Sequence, residues 1–280
     1  MMTGLKLRIG RITFANLFPI FYTLDREFDC SSYEFIEGVP SRLNGMLRGG
    51  TIDLSPSSSV EYLINPGLYG FVDGISVSSK GPVGSIFLFS KRPIEQLEGC
   101  RICLTSQSAT SVALLDIVLR RFYGVSYTSE VSESPESTDA DAFLLIGDEA
   151  LKYRSLVRSQ GQKCLGSCTH VRAYDLGEIW YERTSLPFVF ALWIVRTGLY
   201  DPADARHDLF VRFVGDLMKA KEESLKNLQE IARHSSMKAF MSEDEIIAYW
   251  NMLDYDLSDE HKKGLHLFRD YLVHDPCANP

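Results

Sequence analysis

No stretch of these 280 residues approaches the roughly 18 consecutive apolar residues that a membrane-spanning helix requires. The opening segment, Met1 to Ile12, also lacks the apolar core of a secretion signal, because Lys6, Arg8 and Arg11 interrupt it. A cytoplasmic protein with no membrane partner is therefore expected. Positive charge is scarce: 29 Lys and Arg stand against 37 Asp and Glu, which leaves −8 with histidine neutral. No stripe of cations forms, and nucleic-acid binding depends on clustered Lys and Arg that displace counterions. A nucleic-acid partner is excluded on that ground. The same acidic field would oppose an anionic substrate, which would have to be held by local geometry.

Familiar catalytic signatures are missing too. The chain has no Walker A pattern, no G-x-G-x-x-G after a strand and no H-E-x-x-H. Ser85 stands in Gly-Pro-Val-Gly-Ser, not G-x-S-x-G, which argues against acyl transfer. The six histidines (His170, His207, His234, His261, His266, His274) fall mainly in the last third and read as surface residues. Six cysteines include Cys100-x-x-Cys103 and Cys164-x3-Cys168, spacings that could suggest zinc. Residues 100–104 read as a strand, however, where positions three apart face opposite sides. Free thiols, no metal and no cofactor are expected.

What is present is a regular alternation. Apolar residues make up 45% and aromatics 11%, ample for two packed cores in a chain of this length. Leu5–Phe14 reads as a strand, followed by Asn16 and a helix through Leu24 with Pro19 in its first turn. Tyr33–Val39 is a second strand. A short helix opens at Pro40 and stops at Gly49-Gly50. Thr51–Leu54 is a third short strand, and Ser55–Ser59 leads into a helix ending near Asn65-Pro66-Gly67. Two β-type runs, Ile75–Ser79 and Val83–Ser90, have no helix between them. Then come strand 101–105, helix 108–123 with Val112, Leu115, Val118, Leu119 and Phe122 on one face, an acidic loop at 130–141, strand 140–146, and a helix from Asp148. Leu186–Val195 is a further strand, and the chain from Asp208 on is helical, with a capping box at Ser242–Glu245.

Strand–helix alternation of this kind gives an α/β protein with parallel sheets. The runs near Val83–Ser90 and Leu186–Arg196 serve as return strands, so a two-strand hinge joins two lobes. Residues 1–90 with 191–280 form the first lobe, including the helical C-terminal tail, and 91–190 form the second. A cleft between them would hold strand ends and helix N-termini, the usual ligand site of open α/β sheets. Three hydroxyl-rich clusters fall there: Ser55–Ser59 with Ser57 and Ser58, Gly84-Ser85, and Thr105–Ser111 with Thr105, Ser106, Ser108, Ala109 and Thr110. Asp148 opens a helix on the same side. Unpaired N–H groups and small hydroxyls suit an anion, although Ser and Thr also serve simply as caps. Residue chemistry by itself gives a cleft for a small anion.

Longer motifs add to this. Arg8-Ile-Gly-Arg-Ile-Thr-Phe-Ala-Asn16, Gly81-Pro-Val-Gly-Ser85, Leu104–Leu114, Leu145–Leu151, Tyr174–Glu178 and Leu186–Trp193 run in order from residue 8 to about 196. In them the chain resembles the chorismate dehydratases of the futalosine route to menaquinone. That resemblance implies a periplasmic-binding-protein type II-like fold and conversion of chorismate to 3-[(1-carboxyvinyl)oxy]benzoate and water. It implies an active-site asparagine at Asn16 and hydroxyl contacts from Ser85 and the 105–111 segment. Ser57, Ser58 and Asp148 rest on cleft placement alone. Two other readings remain. One is a small-anion binding or sensor protein of the same fold. The other is the sibling 1,4-dihydroxy-6-naphthoate synthase, whose N-terminal Ser-Pro-Cys-Pro-Asn-Asp type motif is Thr13-Phe-Ala-Asn16 here.

Overall fold

The structure, a computed structural model, describes residues 5–159 and 171–274. The chain opens with β1 (Leu7–Arg11), α1 (Phe18–Glu27), β2 (Tyr33–Glu37), α2 (Pro40–Arg48), β3 (Leu54–Ser58), α3 (Ser59–Ile64) and β4 (Tyr69–Ser79). Next come β5 (Ile86–Ser90), β6 (Arg101–Thr105), α4 (Ala109–Asp116), β7 (Thr128–Ser132), β8 (Ala142–Ile146), α5 (Gly147–Ser159), β9 (Arg172–Asp175) and α6 (Leu176–Thr184). β10 (Phe188–Arg196) leads into α7 (His207–Lys226), α8 (Leu228–Ala232), α9 (Glu243–Trp250) and α10 (Asp259–His274).

These strands form two five-stranded mixed sheets, ordered β2-β1-β3-β10-β4 and β7-β6-β8-β5-β9. In each, parallel pairs at one side meet a strand running the other way: β10 lies antiparallel between β3 and β4, and β5 between β8 and β9. The chain passes from the first sheet to the second between Ser79 and Ile86 and returns between Thr184 and Phe188. We divide the lobes at those crossings, a few residues before 90/91 and 190/191. β5 is apolar on both faces, so its pattern in the sequence does not tell which sheet it joins.

Three elements differ from expectation. The third strand, expected over 51–54, runs instead over Leu54–Ser58 and takes in residues 55–58, with Ser57 paired to Leu192 and Pro56 to Trp193. Ser and Pro favour turns locally, yet small side chains suit a strand enclosed between two others, and packing overrides the propensity. Part of the acidic stretch, from Glu130, is the edge strand β7, where Glu130 pairs with Cys103. Helix 108–123 is α4 continued by a wide π-helical turn over Ile117–Phe122, and its burial is not confined to one stripe. Leu114, Leu115, Ile117, Val118 and Leu119 are all fully buried.

Among the tail helices, α7 packs on α1, and Tyr33 donates from its hydroxyl to Asp216 at 2.7 Å. The segment after α9 covers the free edge of β4: Ser78 and Asp254 exchange backbone hydrogen bonds of 2.9 and 2.8 Å, which blocks edge pairing with another chain. His261, expected at the surface, is fully buried. Its Nδ1 accepts from the Ser258 N–H, and Nε2 lies 3.2 Å from Asp254. Cys30, Cys100 and Cys103 are free thiols. Cys164, Cys168, Cys277 and His170 lie outside the described residues.

Burial pushes the Asp254 carboxyl up, but bonds from His261, the Asp256 N–H and Lys80 outweigh it and leave it well below its ordinary value of 3.8. The folded state therefore holds this proton less tightly than the unfolded chain. Its stabilisation is complete above about pH 4 and is lost as pH falls through the depressed value. Acid titrations of unfolding free energy should show a steeper low-pH decline for the wild type than for Asp254→Asn, and parallel curves would exclude this role.

Candidate functional site

The site grows from the turn between β1 and α1. Three contacts tie that turn down. The Ala15 N–H donates to Asp148 Oδ1 at 2.9 Å, the Trp250 indole N–H donates to the Ala15 carbonyl at 2.8 Å, and the Tyr255 hydroxyl donates to the Asn16 carbonyl. The backbone is thus fixed from the second lobe and from the tail at once. The Asn16 side-chain oxygen, in contrast, is buried and has no hydrogen-bond partner among the described residues. Among the same residues the Ser57 hydroxyl on β3 is likewise buried without a partner, and Ser58 accepts from Asn44 at 3.3 Å, leaving the Asn44 oxygen unpaired there. A buried polar atom left unsatisfied costs about 1–3 kcal/mol. Unsatisfied atoms of this kind suit a site built for a polar ligand.

Facing them, the crossover 81–85 is shaped by glycine and by one carboxylate. Gly84 has φ +74°, open to glycine at little cost. Asp175 accepts from the N–H groups of Val83 and Gly84 and caps α6 through those of Gly177 and Glu178. Gly177 lets these segments approach, since a Cβ there would lie 2.8 Å from the Gly81 carbonyl. Burial raises the Asp175 pKa against these four backbone donors. Ser85, placed by this anchor, accepts from Tyr249 at 3.1 Å, and its carbonyl accepts from the Gly147 N–H at 2.7 Å. Gly147 adjoins Asp148, so the contacts close a ring from Asn16 through Asp148 and Ser85 to Tyr249 and Trp250. Burial also pushes the Asp148 carboxyl up, opposed by the Ala15 N–H and Lys152.

At the start of α4, Thr105 accepts from the Gln107 N–H at 3.2 Å and Ser108 caps the helix, accepting from the Ser111 N–H at 3.2 Å. Thr110 reaches the first lobe, accepting from the Val60 N–H at 3.1 Å with its hydroxyl 3.4 Å from Ser59. Its hydroxyl is occupied by the lobe–lobe contact. Ser106 and Ala109 are exposed. Ser57, Ser58, Ser85, Thr105 and Thr110 are each at most 5% exposed, so the lobes are drawn together here.

Arg154, Tyr249, Trp250 and Tyr255 have no counterpart among the residues singled out from sequence. Tyr249 and Trp250 lie at the end of α9 and Tyr255 in the segment beyond it. Arg154 lies half-buried on α5, its Nη1 3.5 Å from the Gly84 carbonyl, and burial lowers its pKa. It lines a cavity of about 370 Å³ between α5 and α9, with Arg158, Glu245, Tyr249 and Met252. A cavity of about 330 Å³ at the far end of the first sheet carries more arginine, but away from this ring. There Arg8 and Arg206 are spent on buried Asp53, and Arg48 on buried Glu61. Among the described residues, no group of three or more His, Cys, Asp or Glu could hold a metal ion. No helix among them is long and apolar enough to cross a membrane. The Tyr249, Trp250 and Tyr255 donors are spent within the ring, whereas the Asn16 side-chain oxygen has no partner among the described residues.

Residues 7–274 match the family model described as menaquinone biosynthesis. A chorismate dehydratase of Thermus thermophilus is 32% identical over 270 residues, 94% of each chain. A protein of Archaeoglobus fulgidus superposes with a TM-score of 0.73 at 16% identity, covering 96% of this chain and 97% of that one. A Candida albicans protein described as having the generic periplasmic binding protein fold superposes with a TM-score of 0.66 at 12% identity, covering 98% and 92%. The two-sheet architecture is the periplasmic-binding-protein type II fold.

Proposed function

The chain belongs to the menaquinone-biosynthesis family, and from that premise we propose that its cleft dehydrates chorismate to 3-[(1-carboxyvinyl)oxy]benzoate. The carrying observation is the near-full-length likeness to a chorismate dehydratase. The Asn16 oxygen and the Ser57 hydroxyl, both buried and without a partner among the described residues, are consistent with it. Chorismate is a cyclohexadiene with two carboxylates. Loss of the C3 proton and the C4 hydroxyl makes the ring aromatic, so the step runs downhill without electron transfer. The protein then has to hold the dianion still and present donors where charge develops.

In this reading Asn16 orients the ring and donates toward the departing oxygen, while a carboxylate of the substrate itself takes the C3 proton. An internal base within about 3–3.5 Å of its target can supply several kcal/mol. Ser57, Ser58, Ser85 and the start of α4, from Thr105 to Thr110, hold the carboxylates, with Thr110 contributing through its backbone N–H because its hydroxyl is taken up by Val60 and Ser59. Asp148 keeps the Asn16 turn closed through the Ala15 N–H. We place the reaction in the cytoplasm, with chorismate as substrate and with no nucleic-acid or membrane partner. An ultraviolet assay of purified protein with chorismate, with the product identified by mass spectrometry, tests the assignment. Stoichiometric binding without turnover would instead favour an anion-binding protein, and a naphthoate product the sibling synthase.

Ser108 offers a local test of the anion subsite. Aspartate caps helices as well as serine does, so Ser108→Asp should melt within a few degrees of wild type. Its charge, however, should oppose a dianion and raise KM at least tenfold. A wild-type KM would remove this helix end from the site.

A further inference from the structure

We propose that Tyr249 is a positioning residue for catalysis: its phenol holds the Ser85 hydroxyl in the rotamer that donates its hydrogen to an anionic oxygen of the substrate. This rests on the reading of Ser85 as a substrate contact. Both side chains are buried, Tyr249 to 2% and Ser85 to 3% exposure, and the phenol donates to the serine oxygen at 3.1 Å. Burial pushes the Tyr249 phenol far upward, so it stays protonated and remains a donor.

The surroundings leave Ser85 one freedom. Its carbonyl is fixed by the Gly147 N–H, and the residue before it is fixed by Asp175 through a 2.8 Å bond to the Gly84 N–H. What can still turn is the hydroxyl. A hydroxyl has one donor and two acceptor positions. With one acceptor position filled by Tyr249, its own hydrogen must point elsewhere, and no acceptor for it is found among the described residues. A hydroxyl that already accepts is also polarised into a stronger donor. An anionic oxygen, such as a substrate carboxylate, is the partner this arrangement favours.

Tyr249 is itself held in place. It lies in the last turn of α9, whose start carries the Ser242–Glu245 capping box. Its neighbour Trp250 is bonded to the Ala15 carbonyl, and Met252 packs against Gly84. The phenol is thus delivered by a rigid element that also secures the Asn16 turn.

The test is a double-mutant cycle on the intact chain, with kcat, KM and Tm measured for wild type, Ser85→Ala, Tyr249→Phe and the double variant. Ser85→Ala should lower kcat/KM about 100-fold. Tyr249→Phe, which keeps the ring, should lower it about tenfold with Tm little changed. The double variant should be no worse than Ser85→Ala, because the phenol acts only through the serine. Independent losses that multiply to about 1,000-fold would overturn the proposal, as would a Tyr249→Phe enzyme at wild-type rate beside a damaged Ser85→Ala enzyme. If Ser85→Ala itself runs at wild-type rate, the reading of Ser85 fails and the proposal goes with it. Should Tyr249→Phe melt early, 3,5-difluorotyrosine at position 249 keeps the shape but titrates well below tyrosine. The rate should then fall as that phenol ionises and ceases to donate, and a rate independent of its ionisation would overturn the proposal.

Discussion

Asn16→Ala is expected to lower kcat by about 10²–10³, the scale of losing one oriented donor at a reacting centre, with KM changed much less. The backbone of the turn is held by Asp148, Trp250 and Tyr255 through main-chain groups. The substitution therefore removes the amide without releasing the loop, and thermal unfolding should stay close to wild type. Asn16→Asp should be at least as damaging, because it sets a new negative charge against a dianion. Steady-state kinetics on both variants decide the matter. An Asn16→Asp enzyme faster than wild type would show that the site uses a protein base there, and the substrate-assisted route would be wrong. Near-normal kcat in the alanine variant, together with a lowered Tm, would reduce Asn16 to a structural turn residue.

The largest effect on stability is expected at Asp175. Its carboxylate accepts four backbone N–H groups in a buried setting, two from the crossover and two from the first turn of α6. Asp175→Ala orphans all four. Combining the loss of a helix cap with unsatisfied buried donors gives a destabilisation of about 3–4 kcal/mol, readable as a lower urea midpoint at an unchanged m-value. Asp175→Asn is a finer probe. Its amide oxygen can keep the Val83, Gly177 and Glu178 bonds made by Oδ1, whereas the N–H of Gly84 would face an NH₂ group. Stability should recover in part while kcat/KM stays low, since Gly84 precedes Ser85. Full recovery of activity in the asparagine variant would separate the anchor from the site.

The fold was legible where local chemistry and tertiary packing agree. Pro40 at the start and Gly49 at the end bracket α2, residues 101–105 form β6, and the Ser242–Glu245 capping box is present with both of its reciprocal bonds. It was obscure where they conflict. Ser55-Pro56-Ser57-Ser58 has the composition of a turn, and only its enclosure between β1 and β10 makes it a strand. Strand β7 sits at a sheet edge with most of its side chains exposed or half-exposed, so it has no alternation to read. The candidate site divides the same way. Gly81–Ser85 and Tyr174–Glu178 each stand out as motifs, but their junction through Asp175 spans 91 residues and has no trace in spacing. Tyr249 and Tyr255 look like ordinary core aromatics until their hydroxyls are seen to end on Ser85 and the Asn16 carbonyl.

The bond from Tyr255 to Asn16 joins positions 239 residues apart, and this bears on how the protein is made. Translation proceeds at about 5–20 residues per second, so roughly 12–48 s pass between synthesis of Asn16 and synthesis of the side chain that fastens its carbonyl. Both sheets are complete by Arg196. A growing chain can thus pair every strand while the Asn16 turn is still loose and the first lobe still lacks the tail side chains, such as Phe213 and Trp250, that complete its core. Premature termination within the tail would leave a chain with both sheets but with the Asn16 turn unfastened and the first core incomplete.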